Sequence, residues 1–206
     1  MGAVVALDTL LAARTLWHAG RSTAIAADGE PTGHAALDAL LPQVLELYLD
    51  GAVDTHLLKP LARVLMRWPT DTRHAERAVP LIAPPYIPYA PAWQAAGVDL
   101  ALLEIVEAAP RDALWAFEQC LRSGACAAVL GWPVQADGPA LRRLQIAADS
   151  GECLGFALRE RRHAANPSAA ALRLEAVRDS RGATAWQVRK CRGGPAPAQP
   201  FALVAH

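Results

Sequence analysis

Residues 111–158 read RDALWAFEQCLRSGACAAVLGWPVQADGPALRRLQIAADSGECLGFAL, and this stretch decides the fold class. Arg111 to Ser123 has the character of a helix and stops at Gly124, and Asp137 to Ser150 gives a second helix that stops at Gly151. Between them, Cys126 to Leu130 contains no polar residue, as expected of a central strand covered on both faces, and Cys153 to Leu158 supplies the next strand. Strands separated by helices of about 10 to 15 residues imply right-handed crossovers. The expected fold is therefore α/β, a mostly parallel sheet with helices on both faces.

Upstream, the spacing predicts a helix over 3–16 with a stop at Gly20, a small-residue connector over 22–32, and a short helix over 33–41 closed by Pro42. Val44 to Leu49 alternates as a strand, and Asp54 opens a helix to Trp68 that Pro60 should kink. Arg73 to Arg77 reads as a charged loop. Ala78 to Ala83 is an apolar strand running into Pro84, Pro85, Pro88 and Pro91, followed by a helix over 91–96 and a strand over 102–106. Beyond Leu158 the period changes to two. Residues 171–178 and 184–190 alternate apolar with polar around the turn 179–182, which predicts a hairpin added at one edge of the sheet. One domain over 1–192 with an extended or disordered tail over 193–206 accounts for the length, since two domains would leave neither a comfortable core.

Composition narrows the function classes. The apolar fraction is 53%, yet no apolar run reaches the ~18 residues of a membrane span. The first 17 residues lack a basic start, with Asp8 and Arg14 interrupting the apolar middle, so a cytoplasmic protein is expected. Cys120, Cys126, Cys153 and Cys191 form no C-x-x-C pair and have no histidine at zinc-finger spacing, so buried, idle thiols are expected rather than a metal site or disulfide framework. The six histidines are scattered, and no serine sits in a G-x-S-x-G elbow, which leaves acyl transfer without support. Net charge is zero, but residues 1–156 hold 11 basic and 17 acidic side chains while 157–206 hold 9 and 3. The basic end fits a polyanion, an acidic partner surface or a plain solvated tail. The cluster Tyr86, Pro88, Tyr89, Pro91 and Trp93 fits an interface anchor or a rigid loop capping the core, while Trp17 and Trp115 are expected in the core.

The run Thr32-Gly33-His34-Ala35-Ala36-Leu37-Asp38-Ala39-Leu40-Leu41-Pro42 before Val44-Leu45-Glu46-Leu47-Tyr48 resembles the start of the RecA-family core. Five further segments, Ile82 to Ala92, Arg111 to Trp115, Glu118 to Gly124, Leu141 to Gln145 and Arg192 to Pro195, are together similar to the ImuA family. The resemblance spans roughly residues 16–198. It implies a RecA-like domain that acts as a non-catalytic adaptor in SOS-induced translesion synthesis, with an ImuB-like protein, an error-prone polymerase III alpha subunit and the RecA filament as partners. The related SulA-like division inhibitors, which bind FtsZ, are the alternative.

In that frame the residues after β-strand 44–49 should be a phosphate loop, which needs converging glycine N–H groups and a lysine followed by Ser or Thr. The chain has Asp50, Gly51, Ala52, Val53, Asp54, Thr55 and His56, so only Gly51 survives and two carboxylates stand where phosphates would sit. Gly131 and Trp132 follow the strand that would carry the magnesium carboxylate. No cofactor, no metal and no ATP hydrolysis are expected. Arg159, Arg161 and Arg162 fall where the RecA fold emits a DNA-contacting loop, and Arg189, Lys190 and Arg192 precede Gly193-Gly194-Pro195. Both groups are candidate contacts for nucleic acid or an acidic partner, with a solvated loop and a disordered end as the alternatives.

Overall fold

The computed structural model describes residues 44–49, 77–178 and 184–192, with isolated positions 196, 198 and 200. The expected helices over 3–16, 33–41 and 54–68, the connector, the phosphate-loop positions, the hairpin turn and nearly all of the tail lie outside the described residues.

Among the described residues, seven strands form one sheet: β1 (Val44–Leu49), β2 (Val79–Ile82), β3 (Leu103–Val106), β4 (Ala128–Gly131), β5 (Leu154–Glu160), β6 (Leu172–Arg178) and β7 (Thr184–Cys191). Their order is β3-β2-β4-β5-β1-β6-β7. All neighbouring pairs are parallel except β6 and β7, which form the antiparallel hairpin at one edge. The all-apolar β4 lies inside the sheet, as its composition required. The hairpin goes further than expected, because β6 also pairs in parallel with β1. Residues 161–171 carry the chain from β5 past β1 to reach it.

Three helices are described: α1 (Ala90–Ala95), α2 (Pro110–Arg122) and α3 (Gly138–Ser150). In α2, Pro110 occupies the first turn, where its missing N–H costs no bond, and Asp112 and Arg122 complement the helix dipole at opposite ends. Ala113, Phe117 and Leu121, four apart, form its buried face. Trp115 therefore lies on the far side and is 65% exposed, contrary to its expected core position. In α3 the Asp137 carboxylate accepts from the Ala140 N–H at 2.8 Å, a cap whose loss typically costs ~1 kcal/mol. Ala140, Leu141, Leu144, Ala147 and Ala148 form its buried stripe.

Strand alternation divides the interior. Leu47, Leu49, Leu81, Leu130, Phe156, Leu158, Leu172 and Leu174 join Trp93 of α1 in one cluster. Ile82, Val129 and Ala157 meet Phe117, Leu121, Leu141 and Leu144 of α2 and α3 in another. On this second side the apolar packing covers β2, β4 and β5 but changes character at β1 and β6, where the inward residues are Glu46, Tyr48, Arg173 and Glu175.

Candidate functional site

Parallel register places Glu46 beside Ala157 and Arg173, and Tyr48 beside Arg159 and Glu175. Residues two apart on a strand share a face, so these polar side chains form a stripe across three adjacent strands. Glu46 is fully buried; its Oε1 accepts from Arg159 Nη1 at 2.8 Å, and its Oε2 lies 3.1 Å from Arg173 Nε. The second contact is a charge pair without hydrogen-bond alignment, since Oε2 has no hydrogen-bond partner among the described residues. Arg159 Nη2 donates to the Ala136 carbonyl at 2.8 Å, which ties the loop between β4 and α3 to the centre of the sheet. Arg173 donates to the Tyr48 hydroxyl from Nε at 2.9 Å and also from Nη2, and Nη2 donates to the Ala164 carbonyl at 3.0 Å. Its guanidinium carbon stands 5.0 Å from the centre of the Tyr48 ring. Burial and the Glu46 charge push the Tyr48 hydroxyl up to about 12, against the opposing effect of Arg173, so it stays a neutral phenol.

Glu175 continues the stripe toward the surface. Its carboxylate, itself buried, binds Arg161 through Oε1 and Arg189 through Oε2, while both guanidiniums remain nearly half exposed. Two candidates read from the sequence as separate segments are thus held by one carboxylate. Arg162 is exposed and pairs with exposed Glu160 at 2.9 Å. Lys190 donates to the Ser168 carbonyl at 2.7 Å and Arg192 to the Ala169 carbonyl at 3.3 Å, so both strap the crossover segment onto the hairpin. Arg159 sits apart from the other five candidates. Its side chain is 2% exposed and bound to Glu46, so it acts inside the sheet rather than at a surface. The sequence flagged Arg159 by its basic neighbours, whereas strand parity turns it inward while Arg161 and Arg162 leave the strand end.

Because β1, β2, β4 and β5 are parallel, their carboxyl ends open on one edge. The segment after β2 exposes Tyr86, Ile87 and Tyr89 there, that after β4 exposes Val134, and that after β5 carries Arg161 and Arg162. The aromatic cluster is divided, since Trp93 is buried in the core and the two tyrosines face outward. Gly131 closes β4 with its Cα against Phe117: a Cβ at that position would lie 2.6 Å from the ring. A carboxylate side chain at position 131 has no room unless Phe117 moves.

No family model matches the chain, and no curated protein matches it. Among solved structures, the crystal structure of SulA from Pseudomonas aeruginosa is similar, with 27% identity over 57% of this chain and 97% of that one and a TM-score of 0.45. Among the described residues, no helix is long and apolar enough to cross a membrane, and no group of His, Cys, Asp and Glu could hold a metal ion.

The Glu175 clasp has a pH signature. Burial raises its carboxyl, but the hydrogen bonds and charges of Arg189 and Arg161 outweigh this and hold it below the usual carboxylate range. A carboxyl lowered on folding stabilises the protein above its unfolded value of about 4.3, and that contribution is lost as pH falls through the folded value. Urea midpoints should therefore drop on acidification below about pH 4.3. Glu175→Gln should flatten that part of the profile, and an unchanged slope would exclude the clasp as its source.

Proposed function

We propose that this chain is a non-catalytic RecA-like adaptor of SOS-induced translesion synthesis, acting in the cytoplasm with an ImuB-like protein, an error-prone polymerase and the RecA filament. The five segments similar to the ImuA family supply the biological context. The observation that carries the reading as an adaptor is the carboxyl edge of the sheet, where exposed Tyr86, Ile87 and Tyr89 lie on the same edge as Arg161 and Arg162. Aromatic side chains together with arginine are the residue types enriched where proteins bind proteins. Behind that edge, Arg161 and Arg189 keep nearly half-exposed guanidiniums on either side of Glu175, which suits an acidic partner.

Absence of ATP hydrolysis belongs to the same proposal. Thr55 stands where the phosphate-loop lysine would be, and Gly131, packed on Phe117, stands where a magnesium carboxylate would extend.

The test is binding of purified protein to a RecA filament on single-stranded DNA, with the DNA alone as control, in about 0.1 M salt to screen nonspecific attraction. Binding to the filament alone, with no phosphate release from ATP beyond that of the filament, is the expected result. Alanine at Arg161, Arg162 and Arg189 together should weaken it roughly 100-fold, at about 1 kcal/mol per interfacial arginine. Binding to neither filament nor ImuB-like protein discards the adaptor reading, and capture of FtsZ instead would replace it with a division inhibitor.

A further inference from the structure

The two edges of the sheet are finished differently. The edge strand β7 buries Ala185, Trp186, Val188 and Cys191. At the opposite edge, β3 has β2 as its one neighbour among the described residues, and none of its side chains is buried. Ile105, in the middle of β3, is 52% exposed. A β-branched apolar side chain at the centre of an open edge is what sheet edges usually avoid, because it leaves a template for a further strand.

Strand parity decides which backbone groups of that edge are open. Val106 accepts from the Ala83 N–H at 2.9 Å, so Val106, and with it Glu104 two residues back, turns its peptide groups toward β2. Ile105 therefore turns both its N–H and its C=O outward. The Leu103 carbonyl faces the same way, while the Leu103 N–H is taken up by the Leu100 carbonyl of the preceding turn, Leu100–Leu102. Exposed Glu107, one residue past the strand, continues the outward set.

We propose that two copies of this chain join their sheets along β3, antiparallel, with Ile105 of each copy on the two-fold axis. The two Ile105 residues exchange both N–H···O bonds, and each Glu107 N–H reaches the Leu103 carbonyl of the second copy. The Leu103 N–H, spent inside its own turn, is the donor this ladder does without.

The strand is complementary to itself in that register, and charge selects it. With the axis on Glu104, two carboxylates would stand directly opposite each other, which is destabilising. With the axis on Val106, each Ile105 would face Glu107 instead of an apolar partner. With the axis on Ile105, Glu104 lies across from Val106 and Glu107 across from Leu103, so no carboxylate faces another and the two isoleucines cover each other. Strands β1 to β6 run one way within a copy, and the two-fold reverses them, so the carboxyl edges of the two copies face opposite ways. The pairing stands apart from the adaptor reading; where both hold, one dimer carries two docking edges.

An edge this short makes a weak dimer, so sedimentation velocity of the full chain is followed against concentration and should reach the mass of two chains at the upper end. Ile105→Pro removes the outward N–H and leaves the bonds of Glu104 and Val106 to β2 in place. It should weaken self-association at least ~30-fold, for the two hydrogen bonds lost. Ile105→Lys puts a charge on the exposed edge and should also hold the protein as single chains with its circular dichroism unchanged, which keeps the test decisive if the proline variant fails to fold. Oxidation should link two chains through Ile105→Cys, whose Cα atoms would stand ~5.5 Å apart, but not through Glu104→Cys, whose separation exceeds the ~7 Å that a disulfide spans. The parent, with its four native cysteines, is the control. A parent that stays a single chain up to its solubility limit, self-association that Ile105→Lys leaves unchanged, or linkage through Glu104→Cys instead of Ile105→Cys would overturn the assignment. Filament binding, which tests the adaptor reading, is read separately from all of these.

Discussion

Glu46→Gln is expected to lower stability by about 3 to 5 kcal/mol, the cost of breaking a buried ion pair from one side. The amide keeps the volume of the side chain, so the loss is electrostatic. Arg159 and Arg173, which share Glu46 at 2.8 and 3.1 Å, would be left buried in adjacent positions with like charges and no anion between them. Arg159 suffers most, because its Nε already lacks a hydrogen-bond partner among the described residues and its side chain is sealed from water. Urea denaturation of the single variant should show the midpoint falling with an unchanged slope. Replacing all three charges, as Glu46→Leu with Arg159→Met and Arg173→Met, should recover much of the loss, since a buried ionic triad replaced by apolar residues of similar volume is often neutral. A single-variant loss below about 1 kcal/mol would mean that the network is hydrated rather than buried.

Gly151→Ala is expected to cost about 3 kcal/mol, at the upper end of overpacking penalties. Gly151 caps α3 with φ −91°, which alanine adopts freely, so backbone strain is not the reason. Space is. A Cβ at this position would lie 2.0 Å from the Leu121 carbonyl oxygen and 3.0 Å from its carbon. The obstacle is the backbone of α2's last turn, which cannot swing aside as a side-chain tip does, so the two helix ends would have to separate. That would disturb the packing of Leu121 with Leu141 and Leu144. Gly138→Ala, with nothing within 4 Å of the added carbon, is the control and should stay within about 0.5 kcal/mol of the parent. Equal melting temperatures for the two variants would refute the close approach.

By itself the sequence determined which segments are strands and helices across 78–191, because local signals are strong there. Proline at 110, Asp137 as a cap and glycines at 124 and 151 punctuate α2 and α3 within a residue or two of the expected limits. The all-apolar 126–130 run and the period-two alternation of 171–190 likewise separated an interior strand from an edge hairpin. The resemblance supplied the proposed biological frame and, within it, the expectation that the phosphate-loop residues are missing, both read from linear order.

Only the tertiary structure decided which side chains meet. Glu46 and Arg159 are 113 residues apart and carry no local sign of pairing; they meet because β1 and β5 become parallel neighbours in a register that turns both inward. The same parity removed Arg159 from the surface set, and Glu175 joined Arg161 to Arg189 across two segments. Helix phase, fixed by Ala113, Phe117 and Leu121, sent Trp115 outward although tryptophan is usually buried. Periodicity and punctuation are encoded within a few residues, whereas burial of a charge and contact between distant side chains depend on sheet order, which no local stretch specifies.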